Sequence, residues 1–178
     1  VFLVGGGPGD PGLITVRGAE LLATADVVLH DELVHPALLE LVKPEAEVRF
    51  VGKRGADRSS KQAKQDAIEV ELVALAQMGK RVVRLKGGDP YLFGRGSEEA
   101  EALANAGIAF EVVPGVCSPL GATAYAGFSL THRDHASSVV FISGTTRAGK
   151  PFDFGELALI RGTVCILMGM HNIDVMVR

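Results

Sequence analysis

The sequence predicts an α/β protein with a mostly parallel or mixed sheet, and three observations support this prediction. Short apolar segments rich in Val, Leu, Ile and Phe alternate with helical stretches along most of the 178 residues. Two glycine-rich loops directly follow such segments, as ligand-binding loops of parallel sheets do. The hydrophobic content of 47% is sufficient for one large or two small cores.

Seven strands are predicted from short runs of β-branched and aliphatic residues. Five belong to an N-terminal α/β domain, residues 1–113, and two belong to a C-terminal α/β domain, residues 114–178. The predicted strands are residues 1–4, 25–29, 47–51, 81–85, 109–113, 138–143 and 163–168.

Four helices are predicted between these strands. Thr15 is a candidate N-cap for the first. The second, residues 66–78, places Ile68, Leu72 and Leu75 on one face. The other two are predicted to run from Ser97 to Gly107 and from Cys117 to Ala126. The chain ends inside a further helical pattern, so we expect the natural protein to be longer.

Composition excludes several classes of protein. The chain has 18 basic and 21 acidic residues, a net charge of -3, which argues against a general nucleic-acid binder. No apolar run approaches the roughly 18 residues of a membrane span. Two cysteines without a Cys-x-x-Cys motif are too few for a disulfide framework, which favours a cytoplasmic protein. The five histidines show no metal-ligand spacing, so no metal is predicted.

The first glycine-rich loop satisfies the dinucleotide-binding fingerprint. Glycines at positions 7, 9 and 12 have the spacing Gly-x-Gly-x-x-Gly, and Asp31 follows about 20 residues later, after a predicted strand. This pattern favours a nicotinamide-dependent oxidoreductase.

Other residues of the same loop argue against a phosphate ligand. A pyrophosphate needs several backbone N–H donors and no negative charge nearby. Pro8 and Pro11 have no N–H to donate, Asp10 contributes a carboxylate, and no Lys follows as in a P-loop. A cationic ligand with ribose hydroxyls suits this loop better. S-adenosylmethionine, which combines a sulfonium, an ammonium and an adenosine, is such a ligand.

The second glycine-rich loop, KGGDPYLFGRG (Lys86 to Gly96), has the same character. Gly87 and Gly88 allow a ligand to approach the backbone closely, and Asp89 offers hydrogen-bond acceptors. The alternative is that both loops are only tight turns whose acidic residues cap helices.

Six motifs, in order and spacing, resemble those of the tetrapyrrole (precorrin) methyltransferases. They are GGGPGDPGLIT, VLHDELV, VGKRG, RVVRLKGGDPYLFGRGSEE, VVPGVCSPLGATAYAGFSLTHRDHASSV and LMGM, and they span nearly the whole chain. Within that family, THRD and VGKRG favour members that methylate uroporphyrinogen III over relatives in the cobalamin pathway. They also favour them over the diphthamide and ribosomal-RNA methyltransferases of the same fold.

This resemblance implies two α/β domains with the cofactor in the cleft between them, in an enzyme that is typically a homodimer. The implied reaction moves methyl groups from S-adenosylmethionine to C-2 and C-7 of uroporphyrinogen III. The product would be precorrin-2, the branch point towards siroheme and cobalamin. A later corrin-ring methyltransferase, a dinucleotide-dependent oxidoreductase and a non-catalytic binding module remain alternatives.

The resemblance also implies the site residues. Asp31 matches the family's proton acceptor and Lys53 its proton donor, while Glu98 is a competing candidate for handling the proton. Arg95 and Arg133 match positions that bind the carboxylates of the substrate. Cys117 and Ser118 stand where the family often has Thr and a small residue. The implied cofactor-binding residues are Pro8, Gly87, Gly88, Asp89, Leu92, Cys117, Ser118 and Met168.

Overall fold

The computed structural model describes residues 1–52, 61–144, 157, 159–170 and 173–176. The chain divides into two compact units, Val1–Ser118 and Pro119–Arg178. The first unit continues past Val113, where the sequence predicts a domain boundary, because the backbone at Gly115 lies against Gly5 and Gly88. The division into domains at residue 113 stays a prediction.

The first unit contains a five-stranded sheet whose strands are all parallel. The strands are β1 (Phe2–Gly5), β2 (Val27–His30), β3 (Glu47–Phe50), β4 (Val82–Lys86) and β5 (Glu111–Val113). Their order across the sheet is β3-β2-β4-β1-β5, which places β4 at the centre. Each strand lies within two residues of its predicted ends, so the α/β prediction with a parallel sheet is confirmed.

Helices connect these strands. They are α1 (Val16–Thr24), α2 (Lys61–Gln77) and α3 (Gly96–Asn105), with 3-10 helices at Pro11–Leu13 and Pro36–Leu41. Thr15 caps α1 as predicted, because its hydroxyl accepts from the Gly18 amide at 3.0 Å. The predicted start of α3 at Ser97 is wrong. Arg95 occupies the cap position in a left-handed conformation, with φ of 58°, and makes no side-chain cap.

The sheet buries apolar side chains on both faces, as expected for a parallel sheet. On one face, Leu21, Leu22 and Leu38 from α1 and the second 3-10 helix cover Val83 and Leu85 of β4. The opposite face of β4 presents Val82, Arg84 and Lys86, since side chains alternate along a strand. That face is covered by a cluster that includes Ile68, Leu72, Leu75, Ala100 and Leu103 of α2 and α3.

The chain leaves β4 towards a different face from its two neighbours. After β4 it leads to α3, whereas after β1 and β2 it leads to α1 and to the 3-10 helix Pro36–Leu41. Diverging connections open a crevice at the carboxyl ends of neighbouring strands, where ligands bind in open α/β sheets. Both glycine-rich loops and Asp31 lie at this edge, as the sequence predicts.

The second unit contains a shorter parallel pair, β6 (Val139–Ser143) and β7 (Thr163–Leu167). It also contains α4, which begins with the last residue of the first unit (Ser118–Ala126), and a helical turn, α5 (Ile173–Met176). The hydroxyl of Thr163 donates to the Leu130 carbonyl at 2.7 Å and ties β7 to the segment after α4. Among the described residues, no helix is both long enough and apolar enough to span a membrane.

Replacement of Leu72 tests the packing of α2 against the sheet. Leu72 is fully buried, so we expect Leu72→Ala to lower the free energy of unfolding by about 2–5 kcal/mol. Val70 on the same helix is 69% exposed, and Val70→Ala should change it by no more than about 0.5 kcal/mol. Urea unfolding followed by circular dichroism measures both. Equal effects of the two substitutions would contradict the packing described above.

Candidate functional site

The two glycine-rich loops are joined to each other at the carboxyl edge of the sheet. Gly7 and Gly88 exchange backbone hydrogen bonds, with N···O distances of 3.2 and 2.7 Å. The Gly6 amide donates to the Lys86 carbonyl at 2.7 Å. The loops after β1 and β4 therefore form one structure, not two separate turns.

A third segment, which follows β5, packs against both loops. A Cβ atom added to Gly115 would lie 2.2 Å from the Gly88 carbonyl oxygen and 2.8 Å from the Gly5 Cα. No real side chain tolerates such distances, so this approach of three backbones requires glycine. The Gly115 amide also donates to Asp89 Oδ2 at 3.1 Å.

The acidic residue of each loop organises its own loop. Asp89 Oδ1 accepts from the Tyr91 amide at 2.8 Å, while Oδ2 accepts from Gly115. Asp10 caps the first 3-10 helix, because its Oδ1 accepts from the Gly12 amide at 2.7 Å. Both acidic residues therefore stabilise turns by accepting backbone amides, as the tight-turn alternative predicts.

The first loop lacks the geometry of a dinucleotide site. In that motif the helix opens within the glycine sequence and presents free amides to the pyrophosphate. Here α1 begins only at Val16 and is capped by Thr15. Most amides of the loop donate within the protein, namely those of Gly6, Gly7, Gly12, Leu13 and Ile14. These contacts argue against the oxidoreductase alternative.

The second loop carries two non-glycine residues in the left-handed region. The φ angles of Phe93 and Arg95 are 54° and 58°. Such conformations cost of order 1–3 kcal/mol each and persist only where the surroundings enforce them. The Gly96 amide closes the loop by donating to the Pro90 carbonyl at 3.0 Å. Phe93 is exposed in this loop.

The side chains of Arg95 and Glu98 form a two-point ion pair. Arg95 donates from Nε to Glu98 Oε1 at 2.8 Å and from Nη2 to Oε2 at 2.6 Å. Nη2 also donates to Gln62 Oε1 of α2 at 2.9 Å. The hydrogen bonds that Arg95 donates to Glu98 raise the pKa of Arg95. Both carboxylate oxygens of Glu98 are thus engaged by one guanidinium.

A cluster of ionic side chains lies beneath these loops, and we call it the β4 ion cluster: Arg84, Lys86, Glu99 and Asp31. Glu99 Oε1 accepts from Arg84 Nε at 3.0 Å and from Lys86 Nζ at 2.9 Å. Arg84 Nη2 donates to Asp31 Oδ1 at 2.5 Å. Arg84 and Lys86 are 2% exposed and Glu99 is fully buried, whereas the Asp31 side chain is 30% exposed.

Burial and charge act differently on the two cations of this cluster. Burial lowers the pKa of Lys86, and the neighbouring Arg84 lowers it further. For Arg84 burial also opposes the charge, but the carboxylates of Glu99 and Asp31 outweigh it and leave the pKa raised. Arg84 is therefore the permanent charge of the cluster.

Sequence reasoning missed Arg84, Lys86 and Glu99 as site residues. The strand Val82–Lys86 is apolar except for two cations at alternating positions, and this pattern could have indicated a buried ion pair. Buried Arg and Lys require an anionic partner, and the helix that follows offers two candidates, Glu98 and Glu99. Only the packing of α3 on the sheet shows that Glu99 is the partner.

Most predicted cofactor residues lie along the joined loops of the first unit. Cys117 is buried, with 9% exposure, whereas the adjacent Ser118 is exposed. Of these two, only Ser118 presents its side chain to solvent. The predicted residues of the two loops are all partly exposed, and they are Pro8, Gly87, Gly88, Asp89 and Leu92.

Two further predicted residues, Arg133 and Met168, belong to the second unit. Arg133 is exposed in a turn closed by the His132–Ala136 bridge. Met168 directly follows β7, has a φ of 56° and is 52% exposed. Lys53 lies outside the described residues. In the part of the chain that the structure describes, no three His, Cys, Asp or Glu side chains could hold a metal ion.

Residues 1–178 match the family model of the tetrapyrrole (corrin/porphyrin) methylases. The chain is 56% identical over 170 residues to siroheme synthase 2 of Yersinia pestis (strain Pestoides F), an alignment that covers 95% of this chain and 35% of that protein. The chain thus spans about a third of the length of the curated relatives it matches.

The solved structures that share the fold include two methyltransferases. One is uroporphyrin-III C-methyl transferase of Thermus thermophilus in complex with S-adenyl homocysteine. Its TM-score is 0.78 at 39% identity, over 96% of this chain and 66% of that one. The other is the cobalamin biosynthetic enzyme cobalt precorrin-4 methyltransferase, with a TM-score of 0.82 at 32% identity, over 97% and 70%.

Substitution of Gly115 tests the close approach of the three loops. We expect Gly115→Ala to lower the free energy of unfolding by about 1–3 kcal/mol, because the new methyl group would overlap the Gly88 carbonyl. Gly12→Ala is the control, because its Cβ would meet only the side-chain oxygen of Asp10, at 3.1 Å. Urea unfolding again gives the comparison. If Gly115→Ala were no more costly than Gly12→Ala, the three backbones would not be in contact.

Proposed function

Because the chain belongs to the tetrapyrrole (corrin/porphyrin) methylase family, we propose that it methylates uroporphyrinogen III at C-2 and C-7, with S-adenosylmethionine as methyl donor. The product would be precorrin-2, which leads to siroheme and cobalamin. The observation that carries the proposal is the pattern of identity. The chain is more identical to siroheme synthase and to the uroporphyrin-III enzyme than to the cobalt-precorrin-4 enzyme.

A later precorrin methyltransferase is the second candidate, and backbone similarity favours it. The cobalt-precorrin-4 enzyme has the higher TM-score of the two structures compared above. Backbone similarity reports the shared fold, whereas substrate choice depends on side chains at the site. Identity is therefore the better guide, and it supports uroporphyrinogen III.

The joined loops suit S-adenosylmethionine better than a phosphate-containing ligand. Most amides of the first loop donate within the protein, and Gly9, with a φ of 128°, has open space where a Cβ would stand. Each oxygen of Asp89 accepts one amide and retains a second lone pair for a cationic group. When bound, S-adenosylmethionine would supply an electrophilic methyl group. The residues proposed to hold it are Pro8, Gly87, Gly88, Asp89, Leu92, Cys117, Ser118 and Met168.

Arginine side chains are proposed to bind the eight carboxylates of the substrate. Arg95 is held by Glu98 before any substrate arrives, so a substrate carboxylate would replace or share that partner. Arg133 is exposed and makes no ion pair with another described residue. Arg95 would thus be a cation whose orientation Glu98 fixes in advance, and Arg133 would be a cation without an ion-pair partner among the described residues.

Asp31 is the best candidate for the base that removes the ring proton. Its Oδ1 is bonded to Arg84, while its Oδ2 receives no hydrogen bond from the described residues. The competing candidate, Glu98, has both oxygens engaged by Arg95. Asp31 Oδ2, which accepts no bond from a guanidinium, is the more open oxygen to receive a proton, and this favours Asp31. Lys53 is kept as the proposed proton donor, and a cytoplasmic homodimer as the proposed assembly.

The decisive test uses the full-length protein with S-adenosylmethionine and anaerobically prepared uroporphyrinogen III. We expect a product that has gained two methyl groups, measured by mass spectrometry. Asp31→Asn should lower kcat about 100-fold or more, since general-base catalysis contributes 10²–10⁴-fold. Binding of S-adenosylhomocysteine, measured by calorimetry, should be unchanged.

Asp26→Asn is the matched control. Asp26 precedes the amino end of β2, at the edge opposite Asp31, and bonds to Lys43 and to the Arg81 amide. This variant should keep the wild-type kcat. If the cofactor binds but uroporphyrinogen III gains no methyl group, the substrate assignment is wrong and later precorrins should be assayed. Full activity of Asp31→Asn would rule out Asp31 as the base.

A further inference from the structure

We propose that Arg84 is a positioning residue, which fixes the carboxylate of Asp31 from within the sheet so that Oδ2 faces the reaction. The inference rests on the proposed function, because it concerns the base of that reaction. Arg84 itself is 2% exposed and has no access to a substrate. Among its hydrogen-bond partners only Asp31 is a proposed site residue, so an effect of Arg84 on catalysis would pass through Asp31.

The hydrogen bonds of Arg84 fix the orientation of its guanidinium. Nε donates to Glu99 Oε1, and Nη2 donates to Asp31 Oδ1. Nη1 donates to the backbone carbonyls of Leu29 and Leu85, at 3.4 and 3.2 Å. All three nitrogens are thus engaged by groups on β2, β4 and α3. A planar guanidinium held at three nitrogens sets the plane in which Asp31 Oδ1 accepts its bond.

The rest of the β4 ion cluster holds Arg84 in place. Glu99 Oε1 is shared by Arg84 and Lys86, and the Gln65 amide approaches it at 3.5 Å. The cluster contains two cations and two carboxylates, so Asp31 supplies the second anion. Exposure rises from the buried Glu99 to the Asp31 side chain, which is 30% exposed. The cluster therefore connects the core to the site edge through Arg84.

Stability alone is a poor explanation for this arrangement. Replacement of a buried ion cluster by apolar side chains is often neutral or stabilising, because charges lose their hydration on burial. The sheet offers a comparison in Arg49, which lies beside the same residue, Leu29, on the neighbouring strand. Arg49 also bonds two carboxylates, Glu47 and Glu71, but neither belongs to the site. Arg84 differs from Arg49 in burial, with 2% of its side chain exposed against 37%, and in having a site carboxylate as a partner.

The test is a double-mutant cycle in the full-length enzyme with Arg84→Lys and Asp31→Asn. Lysine keeps the charge but has one nitrogen, so it loses the simultaneous bonds to Asp31 and Glu99. We expect Arg84→Lys to lower kcat by about 30–100-fold, as misplacement of a catalytic group does. KM for uroporphyrinogen III and the Kd for S-adenosylhomocysteine should stay within about twofold of wild type. In the Asp31→Asn background, Arg84→Lys should have no further effect on kcat.

Arg49→Lys is the matched control, and it should leave kcat unchanged. Binding of S-adenosylhomocysteine shows that each variant is folded. If Arg84→Lys does not fold, Glu99→Gln serves instead, because it weakens the hold on Arg84 Nε while conserving shape. It should show the same loss of kcat and the same lack of effect in the Asp31→Asn background.

The outcomes separate this inference from the proposed function. An active wild type whose kcat Arg84→Lys leaves unchanged would overturn the inference alone. So would equal losses from Arg84→Lys in the wild-type and Asp31→Asn backgrounds, since Arg84 would then not act through Asp31. A wild type that leaves uroporphyrinogen III unmethylated, or a fully active Asp31→Asn variant, would overturn the proposed reaction or its base, and this inference with it.

Discussion

Two cations buried in the central strand share a single carboxylate oxygen, and the site edge depends on that contact. Arg84 and Lys86 of β4 both donate to Glu99 Oε1. Breaking such a pair by removing one partner costs about 3–5 kcal/mol, so the first turn of α3 is held against β4. Glu98 directly precedes Glu99 in the chain, and its two-point ion pair with Arg95 forms where that turn begins. The buried contacts of Glu99 thereby fix the position of the more exposed pair, Arg95 and Glu98.

Close backbone contact gives the same edge its second constraint. Gly5 and Gly115 leave no room for a side chain where their backbones meet the Gly88 carbonyl, and Gly7 and Gly88 exchange backbone hydrogen bonds. The first loop, most of whose amides already donate within the protein, has little to offer a phosphate group, although its glycines match a phosphate-binding pattern. Spacing of glycines alone therefore misleads, because the pattern does not report where the amides point.

The sequence predicts the strands well because a buried parallel sheet requires continuous apolar runs. It predicts the cap of α1 because Thr15 acts through a local contact. It misses the start of α3, where Arg95 takes a left-handed conformation that local preferences would assign to glycine. It also misses Glu99 as the partner of β4, because that pairing requires the packing of a helix on a strand. Contacts between residues close in the chain can be predicted from the sequence, whereas the choice of partner between a helix and a strand cannot.

The carboxylates near the site edge differ in how many of their oxygens already accept hydrogen bonds from the protein. Asp10 bonds to an amide of its own loop, Asp89 bonds to the amides of Tyr91 and Gly115, and Glu98 bonds to Arg95 through both oxygens. Asp31 is held on one oxygen only, by Arg84, and its other oxygen receives no hydrogen bond from the described residues. A carboxylate fixed at one atom and open at the other has both the orientation and the lone pair that a base requires. The contacts of Asp31 thus favour it as the base, independently of its position in a motif.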